Sequence, residues 1–282
     1  MMSQEHQTLN APAEIVPAIT GQTRLLAIVG DPIGQVRSPE IYNPRIGAAG
    51  HKAVLLPVHL PAADFEVGMQ GLMAVANLDG LVVTFPFKER ALPFVDHLGV
   101  VAGQVGALNA MRREADGSWS GDMFDGAGLV GALAGLSQSA RGRRILLLGA
   151  GGAGSAIAMA VAGAGAQLIG IFDSTRSRAE ALATKIMLSY PHCSAAAVEP
   201  DVAGYDLLIN ATPVGMAPEF ALAPFTGQLH PDLTVIDIVP KPEKTRLLEM
   251  AQAAGCPTTN GQAMISGQAD AVLSFFGIGK TR

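Results

Sequence analysis

The sequence predicts an α/β protein built of two units, and three observations carry that expectation. Apolar runs of strand length alternate with segments of helical length over most of the chain, the pattern of mostly parallel sheets covered by helices. One run, Ile145-Leu146-Leu147-Leu148, leads directly into Gly149-Ala150-Gly151-Gly152-Ala153-Gly154, and small residues then continue from Ser155 to Ala166 in the manner of a closely packed helix. The 282 residues are 49% hydrophobic and 15% charged, enough apolar material for a large core at a length that suggests two domains.

Taken in order, residues 1–22 contain Asn10, Pro12, Pro17 and Gly21 with neither a basic start nor a continuous apolar segment, and read as a flexible tail rather than a signal peptide. Leu25 to Gly30 is a first strand ending at a Gly-Asp-Pro turn. Ser38-Pro39 opens a helix, with proline at a first-turn position where its missing N–H costs nothing. Lys52 to Pro57 gives a strand, Phe65 to Ala76 a helix, and Leu78 to Thr84 a buried strand that stops at Phe85-Pro86-Phe87-Lys88. Met111 to Ser120, with Asp116-Gly117 inside it, reads as an exposed hairpin, and the helix from Gly128 to about Leu136 bridges into the second unit. There Gln167 to Phe172, Tyr205 to Asn210 and Thr234 to Val239 are strands, Arg178 to Leu188 is a helix, and Gln262 to Phe276 closes the chain as an amphipathic helix.

The strand–glycine loop–helix sequence is the fingerprint of a Rossmann-type dinucleotide site. Its glycines permit a tight turn, let the backbone approach a pyrophosphate and let the helix pack closely on the strand, with the phosphates on the helix N-terminus. A glycine pattern alone is a weak signal, but here the flanking strand and helix are both present, and Asp173 ends the next strand about 20 residues on, placed for the adenosine ribose. The cofactor residues expected are Gly149, Gly151, Gly152, Ala153 and Gly154 of the loop, then Asp173, Ser174 and Arg178, and Ala211, Thr212 and Pro213 at the carboxyl end of a later strand, with Val239 and Met264 nearby. A carboxylate at 173 suits free ribose hydroxyls and repels a 2′-phosphate, which predicts NAD over NADP; Arg176 and Arg178 follow closely enough to reach a phosphate and keep NADP in view.

Composition narrows the other classes. A net charge of -5 without a clustered basic face argues against nucleic acid as the main partner. No run approaches the ~20 consecutive apolar residues of a membrane span, so the expectation is a cytoplasmic protein with no membrane partner. Cys193 and Cys256 form no framework or C-x-x-C motif, and the six histidines show no metal-ligand spacing, so neither metal nor covalent catalysis is expected.

Several short motifs stand in one order across residues 24–277: Gly30-Asp31-Pro32-Ile33, Ser38-Pro39, Val83-Thr84-Phe85-Pro86-Phe87-Lys88, Gly106-Ala107-Leu108-Asn109, Asp125-Gly126, the glycine loop, Asn210-Ala211-Thr212-Pro213-Val214-Gly215-Met216, and Asn260-Gly261 with Met264 and Gln268. In this ordered set the chain resembles the shikimate dehydrogenase family. The resemblance implies a substrate-binding and catalytic domain split between residues 23–125 and 260–282, its C-terminal helix returning to it, with the dinucleotide domain, 126–259, inserted between. It further implies that Lys88 and Asp125 flank the reacting hydroxyl, and that Ser38, Thr84, Asn109 and Gln268 pair the ring hydroxyls and carboxylate of the substrate. Standing alone, Lys88 reads as a solvated lysine opening a helix, Asp125 as a helix N-cap, and the four polar residues as local turn or cap partners.

The chain also departs from that pattern. Where shikimate enzymes of the family carry Ser-x-Ser-Pro for the substrate carboxylate, this chain has Val36-Arg37-Ser38-Pro39; Val82 stands for an expected asparagine, Met123-Phe124 for Asn-Thr, Pro240 for a tyrosine, and Asp173-Ser174-Thr175 for the Asn-Arg-Thr that holds NADP. Arg37 is a candidate to pair the carboxylate bidentately in place of the lost hydroxyl. The expectation is therefore a divergent NAD-preferring dehydrogenase acting on shikimate, quinate or a related cyclic hydroxy acid, in a homodimer or alone. Two alternatives stay open: an NAD-binding sensor without turnover, and an enzyme of like build acting on a folate or an aminated ring.

Overall fold

The computed structural model describes residues 19–216 and 222–279; of the expected tail, 1–22, only the last four positions fall within them. The first half of the chain forms β1 (Arg24–Gly30), α1 (Ser38–Ala48), β2 (Ala53–His59), α2 (Phe65–Met73), β3 (Leu78–Val83), β4 (His97–Leu98), α3 (Val100–Val105), β5 (Ala110–Arg113) and β6 (Trp119–Asp122). After α4 (Asp125–Gly135) come β7 (Arg144–Leu148), α5 (Gly152–Gly163), β8 (Leu168–Phe172), α6 (Arg176–Ser189), β9 (Ser194–Ala197), β10 (Leu207–Asn210), β11 (Thr234–Asp237), α7 (Arg246–Ala253), β12 (Thr258–Asn260) and α8 (Gly261–Phe275).

Among the described residues these strands make two six-stranded sheets. The first runs β2-β1-β3-β5-β6-β4; its leading three strands are parallel, and the 110–122 hairpin adds β5 and β6 antiparallel. The second runs β12-β11-β10-β7-β8-β9 and is parallel throughout, so in chain order its strands lie 3-2-1-4-5-6 and the order reverses between β7 and β10. Ligands of such sheets bind at the carboxyl ends of the strands flanking that reversal. Strands buried on both faces need apolar side chains throughout, which is why Ile145 to Leu148 and Leu207 to Ile209 are all fully buried.

α8 brings the end of the chain back to the first sheet, where Ala269, Val272 and Leu273 pack with Leu26, Ile28, Tyr42 and Ile46. On the other face of that sheet a continuous core runs from Phe65, Leu81 and Val83 through Leu129 and Leu133 of α4 to Ile157 and Val161 of α5. α4 therefore ties the two sheets together. Its glycines permit this: a Cβ on Gly126 would lie 2.6 Å from the Ala156 carbonyl oxygen, one on Gly128 2.6 Å from that of Met264, and one on Gly131 3.1 Å from Gly267. The same economy explains why α4 and α5 start earlier than the sequence predicts, at Asp125 and Gly152 instead of Gly128 and Ser155. Glycine has low intrinsic helix propensity, but close packing overrides it here. The sequence reading passed over β4, α3, β9, α7 and β12; the edge strands β9 and β12 are short and poor in large β-branched side chains. Among the described residues no helix is long and apolar enough to cross a membrane.

Candidate active site

Lys88 closes the loop that leaves β3. Its carbonyl accepts from the Leu108 N–H at 3.0 Å, which pins it against the segment leading into β5. On that segment Asn109 is fixed on both sides of its backbone, its carbonyl accepting from Val83 at 2.8 Å and its N–H donating to Asp122 at 3.1 Å. Asp125 is the first residue of α4, where a carboxylate complements the helix dipole, and is 2% exposed. These segments meet in one buried polar cluster: Lys88 Nζ donates to Asp125 Oδ2, while Asn109 Nδ2 donates to Asp125 Oδ1 at 2.8 Å and to Gln268 Oε1 at 2.9 Å. Gln268 Nε2 adds a longer bond to Asp125 Oδ1 at 3.4 Å, and Phe124 N–H donates to Asn109 Oδ1 at 2.9 Å. With its carbonyl accepting from the backbone, the Asn109 side chain can present only its NH₂ group to the aspartate. Asn109 and Gln268 thus hold Asp125 directly, a task beyond the substrate contact expected of them.

The glycine loop faces this cluster from the other sheet. Gly149 has φ +97°, a conformation that favours glycine, and its N–H donates to Phe172 at 2.7 Å. A Cβ on Gly152 would lie 3.1 Å from the Lys88 Cβ, so the N-terminus of α5 abuts the lysine across the cleft. A Cβ on Gly154 would lie 2.0 Å from the Gly149 oxygen. Asp173 turns both carboxylate oxygens to backbone, accepting from Ala150 N–H at 2.7 Å and Thr175 N–H at 2.8 Å, and so ties the loop to the end of β8. The arginines that follow are engaged: Arg176 with Glu180 at 2.9 Å and Glu199 at 3.7 Å, and Arg178 with Glu89 at 2.6 Å across the cleft. A loop bearing an exposed helix N-terminus, with backbone brought close by glycine, fits a dinucleotide pyrophosphate.

Lys88, Asp125, Ser38, Arg37, Thr84, Asn109 and Gln268 line one cleft of about 620 Å³ together with Gly149, Gly151, Gly152, Ala153, Asp173, Ser174, Arg178, Ala211, Thr212, Pro213, Val239 and Met264. Its size suits a ligand site. Of the residues singled out from the sequence for the cofactor, Gly154 and Arg176 lie outside the lining; Gly154 sits beneath the loop, where its lack of a side chain lets α5 pack against the turn. Arg37 precedes α1 and pairs with Glu40 at 2.6 Å, while its Nε is buried without a partner among the described residues.

The sequence reading missed Tyr42 and Glu89, which also line the cleft, and the network under its floor. Tyr42 is fully buried, and burial, reinforced by the nearby Asp125 carboxylate, raises its pKa well above the usual phenol range. Beneath the loops after β10 and β11, Asp237 accepts from Asn210 Nδ2 at 2.9 Å, Val239 N–H at 3.1 Å and Thr245 Oγ1 at 2.6 Å. Burial pushes the Asp237 carboxyl above its ordinary pKa despite these bonds. An aspartate ending the otherwise apolar run Val235-Ile236 was the available signal.

Residues 28–111 match the family described as shikimate dehydrogenase substrate binding domain, and residues 132–222 the family described as shikimate / quinate 5-dehydrogenase. A shikimate dehydrogenase (NADP(+)) of Alkaliphilus metalliredigens is 33% identical over 259 residues, 89% of this chain and 90% of its own. The crystal structure of shikimate 5-dehydrogenase from Listeria monocytogenes in complex with shikimate and NAD superposes with a TM-score of 0.78 at 32% identity, covering 95% of both chains. A ligand-free 5-ketofructose reductase of Gluconobacter sp. strain CHM43 superposes with a TM-score of 0.77 at 29% identity, covering 91% of this chain and 94% of its own.

Proposed function

This chain belongs to the shikimate/quinate dehydrogenase family, NAD(P)-binding dehydrogenases acting on a CH–OH group, and from that premise we propose that Lys88 and Asp125 are its acid/base pair, with NAD as the preferred cofactor and a polyhydroxylated, shikimate-like ring as substrate. The observation that carries the proposal is the Lys88–Asp125 pair lining the cleft, its aspartate buried and the α5 N-terminus against the lysine.

Nicotinamide, when bound, supplies the hydride acceptor. The protein's part is the proton. In the oxidising direction the neutral Lys88 amine takes the hydroxyl proton as the carbon loses hydride; in the reducing direction the ammonium returns it to the carbonyl oxygen. Asp125, held by Asn109 and Gln268, fixes the nitrogen in position and carries the opposite charge beside it. Ser38, Thr84 and Arg37 line the substrate side, and re-pairing ring hydroxyls that lose water on binding needs such polar groups.

NAD preference is supported by charge at the adenosine end: Asp173 is a carboxylate, Ser174 offers no cation, and Arg176 and Arg178 are each paired with glutamate. A 2′-phosphate there would have to displace a carboxylate. A second reading, a dehydrogenase of the same build acting on something other than shikimate, is favoured by Val36, Val82 and Pro240 in the substrate wall; the name of the Gluconobacter neighbour points to a keto-sugar.

The test is formation of NADH and NADPH by the whole chain with shikimate, quinate and neutral cyclic polyols, wild type against Lys88→Met. Loss of a positioned acid/base group lowers kcat by about 10²–10⁴-fold. Turnover of the variant within a few-fold of wild type removes Lys88 from the chemistry, and a higher kcat/KM with NADP than with NAD removes the cofactor preference.

A further inference from the structure

Tyr42 stands one helical turn after Ser38 on the inner face of α1, whose buried residues are Ser38, Tyr42 and Ile46. It belongs to the apolar cluster of Leu26, Ile28, Val82, Val272 and Leu273 and is 1% exposed, yet it lines the cleft. No described group hydrogen-bonds its hydroxyl. Among the described residues the one side-chain polar atom both sealed from solvent and unpartnered is Arg37 Nε, so the Tyr42 oxygen opens into the cleft. Burial, and then the Asp125 carboxylate, raise its pKa, so the phenol keeps its proton and can both donate and accept.

The polar groups around it are otherwise engaged. Lys88, Asp125, Asn109 and Gln268 bond one another, and Val82, which lines the cleft from the same cluster as Tyr42, carries no polar group. A substrate that fills the cleft displaces water from the Tyr42 hydroxyl and has to offer it a partner in return. An uncharged partner suits the position. A carboxylate there would meet the field of Asp125, whereas Arg37, which also lines the cleft, offers an anion its cation.

We propose that Tyr42 is a substrate contact, its hydroxyl pairing with a ring hydroxyl other than the one that reacts, and that it selects polyhydroxylated rings over rings lacking that group. This deepens the dehydrogenase reading and rests on it.

The experiment is Tyr42→Phe, which keeps the packed ring and removes one oxygen. Turnover with NAD, and binding in the presence of NADH, are measured for shikimate and for the two monodeoxy analogues that keep its reacting hydroxyl. KM and Kd for shikimate are expected to rise about fivefold to a hundredfold, with kcat within a few-fold and KM for NAD unchanged. One monodeoxy analogue, lacking the partner hydroxyl, is expected to bind wild type and variant alike. The thermal midpoint of the free protein is expected not to fall, since the lost hydroxyl has no partner in the described protein. Shikimate affinity within twofold of wild type, equal sensitivity of all three compounds, or no binding of any of them to the wild type overturns the proposal. So does a lowered thermal midpoint with a parallel loss of NAD affinity, which marks a structural role. Shikimate binding that weakens in Tyr42→Phe, with no NADH formed by the wild type, would instead overturn the dehydrogenase reading and uphold the contact.

Discussion

The two sheets contribute to the cleft through different parts of the chain. The parallel sheet brings to it a glycine turn from Gly149 to Gly152, the α5 N-terminus and the 211–213 loop, along with Asp173 and Arg178, whereas the mixed sheet, α4 and α8 bring the polar side chains Lys88, Asn109, Asp125 and Gln268. Backbone recognition depends on where the chain can pass and is spoiled by almost any added side chain. Side-chain recognition can be altered one residue at a time: here Lys88, Asp125, Asn109 and Gln268 are joined by hydrogen bonds, while Val36 and Val82, with Pro240 from the loop after β11, also line the cleft.

The backbone-built half is accordingly the more brittle. Gly154→Ala would put a Cβ 2.0 Å from the Gly149 carbonyl oxygen, and the atom it meets belongs to the turn itself. Relief requires the turn to move away from the helix, at a cost of roughly 1–3 kcal/mol in stability. The kcat/KM for NAD is expected to fall by about a hundredfold, and the thermal midpoint by several degrees. Wild-type cofactor kinetics in Gly154→Ala would show that the turn is not held by packing, and the contrast between the halves would go with it.

In the side-chain half the corresponding test is Asn109→Ala. It removes the 2.8 Å donor to Asp125 Oδ1, leaves only the 3.4 Å bond from Gln268 on that oxygen, and strips the Phe124 N–H of its acceptor. A positioning role predicts kcat down by roughly tenfold to a hundredfold, about 1–3 kcal/mol for the lost buried partner, with KM for NAD unchanged because the glycine loop is untouched. A fall in cofactor affinity equal to the fall in kcat would instead mark a general structural lesion.

Legibility in the sequence follows the same division. The glycine loop, its strand and Asp173 lie within 30 residues of one another, so their spacing alone indicates a dinucleotide turn. Lys88, Asn109, Asp125 and Gln268 span 180 positions, and no periodicity in the chain relates them; only the resemblance to a known order of motifs brought them together. Even then the sequence assigned Asn109 to substrate and gave no sign that its amide holds the aspartate, because a hydrogen-bond partner so distant in the chain leaves no local pattern. Nor could the sequence show that Arg178, which lines the cleft, also pairs with Glu89, 89 positions away. Helix starts at glycine were misplaced because propensity is local, whereas the close approach that selects those glycines involves another helix.

Asp237 is the exception that sharpens the comparison, since here a side chain in the parallel sheet holds the backbone loops that shape the cleft floor. It is fully buried and accepts from Asn210, Val239 and Thr245. Burial raises its pKa, so the folded protein binds that proton more tightly than the unfolded chain does. Its contribution to stability is then fully present below the unfolded carboxyl value of about 4 and is lost as pH rises through the higher folded value. Asp237→Asn keeps the shape and an acceptor oxygen for Asn210 and Val239, lets the amide donate to the Thr245 hydroxyl, and removes the titration. Thermal midpoints of wild type and Asp237→Asn, followed from pH 4 to 8, should therefore drift in one direction: the wild type loses ground to the variant as pH rises. A difference that stays flat, or moves in the wild type's favour, would mean that the hydrogen bonds outweigh burial and that this carboxylate holds its loops as a stable anion.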